Sequence, residues 1–464
     1  MIPIDTVTDK QIRDLRLPDK RLSARAVCSL EQIDRMGCER SFPAIFQSGK
    51  ALKGFYRLVN NERVTPDSVQ QSCSKTLEDL AGPGGFLTDE PYLILFQDTT
   101  FGKYHHRKGI ELGYFNDPAT DNGMLIHSGV LTTSDFVPLG VPIQGFIMRE
   151  ASEHGKSAQR RERNFEEKES FKWVAGVEWA EGFEKRCGKK VIQVADRESD
   201  ISELMALALK KKQDFIFRCQ HDRRLKEVFS DKYLKAYLEG QAPMAQIPLP
   251  VLDEKGRPHT VDFEVKVAGI LLADIPDHPL QVISLQQKVA YEGQKELSSL
   301  YLITSLPIET VEDVKKITGI YTHRWRTCED FHKCLKTGCG IEQRQFESSH
   351  ALFNTIALLT ILAVRLLRLR HMAQNDPERP MGEVLDEDQL KLAKHFCEKM
   401  LTPTDLKYCK NGTVLAFVLT IARLGGHQGI KQKGMPGWQT IWKGWNYFQT
   451  ILDGIIMSKN AGFT

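Results

Sequence analysis

Two short runs, YLILFQD and VIQVAD, constrain the fold of this chain more than any other feature. Residues 92–96 are apolar without a break, and residues 191–195 are apolar except for Gln193. A strand that reads as apolar on both faces is covered on both faces, which is the parallel, α/β arrangement. The first run leads into Asp98. The second leads into Asp196, with Glu198 and Asp200 close behind. In an open α/β sheet, sites form where strands end. If the two strands are neighbours, the carboxylates converge and repel, unless a divalent cation lies between them. A single strand-end aspartate has an ordinary alternative, the turn or helix cap.

The remaining pattern surrounds these runs with both strand and helix. MLIHSGVLTT and VPLGVPIQGFI read as paired strands, DFIFRC as a further strand, and NFEEKESFKWVAGVEWAEGFEKR and SDISELMALALKKK as helices. Over about residues 224–300, TVDFEVKV alternates with period two and LQVISLQ resembles it, so an inserted antiparallel β region is expected. LYLIT returns to a strand, two helices follow, and from residue 351 onward the chain reads as helical. Residues 1–80 are also helical in pattern. There Thr65 caps a helix that begins with Pro66. Within them, GKALKGFYRLVNNERV interleaves Lys50, Lys53, Arg57 and Arg63 with Phe55 and Tyr56. That suits a helical module contacting phosphates, and equally a packing subdomain with a solvated basic face. AGPGGFLTDEP is a Gly/Pro boundary. The division expected is 1–80, 81–372 with the insertion, and 373–464.

At 464 residues the chain is long enough for two or three domains. Its net charge is only +3, so a nucleic-acid surface must be a local patch. Basic runs occur at Arg160, Arg161 and Arg163, at Lys189 and Lys190, at Lys210 to Lys212, and at Arg223 and Arg224, each readable as a solvated face. ALFNTIALLTILAV, residues 351–364, is short for a bilayer span and is interrupted by Asn354, Thr355 and Thr360, so a buried core helix is expected and no membrane partner. The N-terminal stretch has no apolar signal region, and the ten Cys are scattered with no CxxC pair. Reduced thiols in a cytoplasm are the expectation. Cys328, Cys334 and Cys339 lie near His323 and His332, but their spacing matches no common zinc module.

The densest segment is IYTHRWRTCEDFHKCLKTG, Ile320 to Gly338, which sets Glu329 and Asp330 among many cationic side chains. It is either a solvated, salt-bridged helix or a surface on which cations face a polyanion and a carboxylate serves as third ligand to a metal.

The order strand–Asp98, strand–Asp196, β insertion, then YTHRWR and FHKCLKTG, together with DTT, DRESDI and IARLGG, resembles the DDE transposases of the insertion-sequence group that includes the transposon-five transposase. The likeness extends through the helical N-terminal module to the C-terminal WQTIWKGW. It implies a ribonuclease-H-like mixed sheet flanked by helices, with a helical DNA-end-binding domain and a helical C-terminal dimerisation domain. It implies Asp98, Asp196 and Glu329 as catalytic ligands of two Mg²⁺ ions, for which Mn²⁺ can substitute. Tyr321, Arg324, Lys333 and Lys336 are implied as contacts to the DNA end. Arg suits a bidentate phosphate grip and Lys a point-charge one. The implied activity is cut-and-paste transposition by a homodimer that binds transposon ends and target DNA. The alternatives are a non-catalytic DNA-binding derivative and a nuclease without strand transfer.

Two departures from the resemblance carry expectations. Four residues separate Arg324 from Glu329 where the group has three, so a π-bulge or non-helical turn is expected between Trp325 and Cys328. On the preceding strand, Leu300 and Tyr301 stand where the group has a base-stacking tryptophan. Tyr301 is the candidate substitute for stacking a flipped base, although neighbours on a strand point to opposite faces.

Overall fold

The computed structural model describes residues 4–104, 109–110, 112–156, 159, 162–252, 258–292, 294, 296–430 and 435–460. Arg160 and Arg161 of the first basic run lie outside the described residues. The chain divides into two compact units. One comprises Met1–Glu90, Thr99–Ser157 and Thr327–Thr464; the other comprises Pro91–Asp98 and Ala158–Arg326.

The second unit is built on strands. The first half of β1 (Leu93–Lys103) lies parallel to β4 (Val191–Ala195), which lies parallel to β5 (Asp214–Arg218). β9 (Ser299–Thr304) joins β5 antiparallel. An antiparallel ladder of β8 (Ile275–Gln287), β7 (Pro258–Leu272) and β6 (Ala245–Leu252) extends from β9. The central strands are buried, as their unbroken apolar character requires. The period-two stretches become the long antiparallel hairpin β7–β8. Helices α6 (Val174–Cys187), α7 (Ser202–Lys210) and α8 (Leu234–Glu239) also lie in the unit, and Trp173, Phe215, Phe217 and Leu204 anchor its core. Three of the basic runs are absorbed into ion pairs here: Lys190 with Glu184, Lys211 with Glu181, and Arg223 with Asp200.

The first unit is mostly helical. It holds α1 (Ile4–Arg13), α2 (Lys20–Met36), α3 (Phe42–Ile45), α4 (Gly49–Val59) and α5 (Pro66–Ala81). It also holds the antiparallel pair β2 (Gly123–Thr132) and β3 (Pro138–Ile147). Among the described residues it also holds α10 (Ser349–Asn375), α11 (Glu387–Met400), α12 (Val414–Leu424) and α13 (Trp438–Asn460). Thr65 caps α5 as its sequence requires, accepting from Ser68 N while the Ser68 hydroxyl accepts from Thr65 N.

α10 is the axis of this unit. It is long and apolar enough to cross a membrane, yet 94% of its most apolar window is buried inside the protein. Its polar residues explain the burial. Asn354 Nδ2 donates to the carbonyls of Val59 (2.9 Å) and Val64 (2.7 Å), and Thr360 and Gln144 bond to each other. Fully buried Arg368 donates to the carbonyls of Pro138 and Leu139. Arg365 pairs with Asp9 and Asp34. A polar group buried without such partners costs several kcal/mol, so these bonds fit α10 to this core. The spatial division differs from the three-part division expected along the chain. Residues from 1–80 and from 373–464 share one hydrophobic core, in which Phe55, Leu359, Phe417 and Trp445 all take part.

The segment of greatest interest is α9 (Val311–Lys333), followed by a π-helical turn over Cys334–Gly338.

Candidate functional site

β1 and β4 are adjacent and parallel, with Phe96 opposite Val194. Asp98 and Asp196 each stand two residues further on, so they reach the same level of strands about 4.8 Å apart. β4 stops just before Asp196, whereas β1 continues past Asp98 to Lys103; Asp98 is therefore inside its strand rather than at its end. Asp196 is also a cap, its Oδ1 accepting from Glu198 N at 2.9 Å. The acids behind it do other work. Glu198 pairs with Lys172 at 3.1 Å. Buried Asp200 accepts from the backbone of Gln220 and His221 and pairs with Arg223.

Tyr321 and Arg324 come to this place from α9. Both are buried, and Arg324 Nη1 lies 3.5 Å from Asp98 Oδ1. The guanidinium sits 5.7 Å from the centre of the Tyr321 ring. Burial pushes the Tyr321 phenol above its ordinary value; Arg324 and Arg218 pull it down, and Asp196 pushes it up. In the second unit the buried phenol thus feels Asp196 and the guanidiniums of Arg324 and Arg218, and Arg324 also reaches Asp98. Arg218, the last residue of β5, carries no sequence signal of its own and was not anticipated. Carboxylates are hard-oxygen donors of the kind Mg²⁺ takes. Among the described residues, no group of three His, Cys, Asp or Glu side chains is gathered to hold a metal ion. The ten Cys are all free thiols.

Tyr301 occupies β9 opposite Ser284, half-buried. Its hydroxyl accepts from Gln286 Nε2 at 3.3 Å, and Lys235 lies 5.8 Å from its ring centre.

The part of the Ile320–Gly338 segment from Thr327 onward lies in the first unit, where the two adjacent acids take different roles. Asp330 is turned inward, accepting from Trp438 Nε1 at 2.8 Å and pairing with Arg370 at 3.2 Å. Glu329 is half-exposed and pairs with Lys333 at 3.2 Å. Burial lowers the pKa of Lys336, against the opposing pull of Glu342 and Glu329.

The bulge expected between Trp325 and Cys328 does not occur, because α9 runs unbroken to Lys333. The irregular turn comes later. Over Cys334–Gly338 the wider π-helical turn sets Gly338 under Trp442, where a Cβ would lie 2.8 Å from the indole. Regular geometry up to Glu329 puts Cys328 within about 20° of Tyr321 around the helix, and Glu329 about 80° from Tyr321. Cys328 is buried.

The N-terminal basic residues lie on α4. Lys50, Lys53 and Arg57 are exposed, and their spacing of three and four residues keeps them on one face. None pairs with a described carboxylate. Phe55 points the other way, into Phe42 (4.5 Å) and Phe46 (4.9 Å). The cationic face carries a shallow hollow lined by Leu52, Lys53, Tyr56, Arg57 and Asn60. Arg63 is engaged by Asp19 at 3.0 Å. Arg25 of α2 was not anticipated. Its guanidinium lies across Gly54, where a Cβ would come within 1.9 Å of it, so the glycine makes room for a further cation beside the same helix.

Residues 5–64, which span α1 to α4, match the family model described as transposase DNA-binding. The match supports a transposase that binds DNA through this N-terminal helical module.

Proposed function

We propose that the chain is a cut-and-paste DNA transposase of the DDE type with a ribonuclease-H-like core. The observation that carries this reading is the pairing of parallel strands β1 and β4, with Asp98 and Asp196 each two residues past the Phe96–Val194 pair, in a chain whose N-terminus matches a transposase DNA-binding family. The hairpin β2–β3 and the parallel β1–β4–β5 set are the kinds of strand pairing such a core requires. In this reading α4 holds the transposon end through Lys50, Lys53 and Arg57. Tyr321, Arg324, Lys333 and Lys336 grip phosphates near the scissile bond. Asp98, Asp196 and Glu329 would hold two Mg²⁺ ions, or Mn²⁺ in their place. When bound, such ions supply activation of the attacking oxygen and stabilisation of the leaving one. Arg324 orients the phosphate for in-line attack, first by water and then by the freed 3′-OH on target DNA. Two copies bridge two ends, within a prokaryotic cytoplasm.

The test is Mg²⁺-dependent nicking and joining of duplexes that end in inverted repeats flanking the gene. Wild type should nick and join, and Asp98→Asn and Asp196→Asn should do neither while still binding the ends. Normal nicking by either variant refutes the assignment.

A second reading has a specific observation in its favour. The unbroken helix puts Cys328, not Glu329, on the face of Tyr321 and Arg324. A chain without a third carboxylate there would bind transposon ends without cutting them. Binding without nicking by wild type would select this reading, and nicking without a joined product would select a nuclease.

A further inference from the structure

A nearly enclosed lysine of the second unit reaches the turn that follows Asp196. Lys172 lies in the short 3₁₀ turn Glu169–Trp173 that runs into α6, and its side chain is only 6% exposed. An ammonium so enclosed is costly unless it is paired. Lys172 Nζ lies 3.1 Å from Glu198 and 3.6 Å from Glu169, and 5.6 Å from the centre of the Trp173 ring. Trp173 is itself buried in the core, so the lysine springs from a fixed point. Glu198 is different, for its side chain is 58% exposed. An exposed glutamate ordinarily keeps its rotamer freedom, and here the enclosed ammonium restrains it. The Glu198 N–H donates to Asp196 Oδ1 at 2.9 Å. Ser199 N and Ser199 Oγ donate to the Asp196 carbonyl at 3.0 and 2.6 Å, closing the one-turn helix Arg197–Ser199. The far end of this turn is fixed by buried Asp200, through Gln220 N, His221 N and Arg223. Its near side is held through Glu198 by Lys172. The bond to Oδ1 sets the plane of the Asp196 carboxylate in advance, and a group already held in its binding orientation loses less freedom on binding.

We propose that Lys172 is a positioning residue for Asp196: it anchors Glu198, and the Glu198 N–H in turn holds the Asp196 carboxylate in the orientation that takes a divalent cation. The proposal rests on the reading of Asp196 as a metal ligand and adds the residues that aim it. In this role Lys172 touches neither cation nor DNA and acts through Glu198. Partners that orient a ligating carboxylate change metal affinity by about tenfold to a hundredfold when they are removed. Charge alone makes a different prediction. Loss of a nearby cation strengthens Mn²⁺ binding and loss of a nearby anion weakens it. Removing Lys172 therefore has opposite signs under the two accounts.

The experiment is Mn²⁺ binding to the full chain without DNA, followed by the loss of the free-ion electron paramagnetic resonance signal. Lys172→Met should weaken Mn²⁺ binding about tenfold, the lower end of the range for such partners. Glu198→Gln should weaken it by a similar factor. Together the two substitutions leave the net charge unchanged. The double variant should lose about as much as either alone, because both break one chain of contacts. Lys172→Arg keeps the ion pair and should stay near wild type. Unchanged or tighter binding by Lys172→Met overturns the proposal. So does a loss by Glu198→Gln that Lys172→Met does not share, since Glu198 then acts by itself. Losses that multiply in the double variant also overturn it, since Lys172 then acts through something other than Glu198. If Lys172→Met does not fold, Glu198→Asp carries the test. It keeps the charge but falls one methylene short of Lys172, and unchanged Mn²⁺ affinity overturns the proposal. Asp196→Asn separates the two levels of argument. If it leaves Mn²⁺ binding unchanged, or if wild type takes up no Mn²⁺, the metal-ligand reading fails and this proposal with it. If it abolishes binding while Lys172→Met matches wild type, only the positioning role fails.

Discussion

α12 and α13 cross so closely that a methyl group on Gly444 would sit 1.6 Å from the Ile421 carbonyl oxygen, and one on Gly425 would sit 1.9 Å from the Thr440 carbonyl oxygen. Gly444→Ala therefore sets two effects of opposite sign against each other. Helix propensity alone favours alanine by about 1 kcal/mol in a helix interior. Against that, carbon and carbonyl oxygen need about 3.3 Å between them, so the helices must part by well over 1 Å. Both partners are backbone, and no side chain can swing aside. Overpacking of this kind costs about 3 kcal/mol. Parting the helices also loosens Phe417 of α12 against Phe448 (5.3 Å) and Trp445 (6.2 Å) of α13, each pair contributing about 1 kcal/mol when intact. The expected net loss is about 3 kcal/mol. Urea unfolding followed by far-ultraviolet circular dichroism measures it, with Gly454→Ala as the control. Gly454 is on the same helix with nothing within 4 Å of its added Cβ, so that variant should gain about 1 kcal/mol. If Gly444→Ala matches or exceeds wild type while Gly454→Ala gains as stated, the close crossing is wrong.

Replacing Lys50, Lys53 and Arg57 together by Ala should weaken DNA binding and make the plot of log affinity against log salt shallower by about 2.7, or 0.9 for each lost phosphate contact; an unchanged slope would place the DNA elsewhere. Glu329→Gln should abolish nicking, and Cys328→Glu should not raise it; the reverse pair of results in a gel assay would make Cys328 the position of the missing ligand. Burial raises the Asp405 carboxyl, but bonds from Thr402 and Arg423 outweigh it and leave its pKa below 3.8. A depressed carboxyl stabilises the fold above its unfolded pKa and loses that contribution as pH falls through the folded value. The stability gap between wild type and Asp405→Asn should thus be constant near neutrality and shrink below about pH 4, and a gap that widens on acidification contradicts the sign.

Much of the fold was legible because it is local. YLILF and VIQVA announce buried parallel strands, TVDFEVKV and LQVISLQ announce a hairpin, and Thr65 with Pro66 announces a helix start, since in each case pattern and geometry share a period of a few residues. The core role of the 351–364 stretch was legible from its three polar interruptions, although their partners, among them the Val59 carbonyl and Gln144, were not. Asp98 and Asp196 could be named as candidates from their positions after apolar runs, but their common level depended on the register of β1 against β4. Helix α9 shows the limit most clearly. Counting residues from Arg324 to Glu329 suggested a bulge, yet the backbone stays regular there and widens only at Cys334–Gly338, because helix phase is set by which side chains the surroundings bury. The same burial decides that Asp330 turns to Trp438 and Arg370 while its neighbour Glu329 stays at the surface. Ion pairs such as Arg324 with Asp98, and a hydrophobic core shared by the two ends of the chain, join residues far apart in sequence. No local period records such pairings, so only the packed tertiary structure decides them.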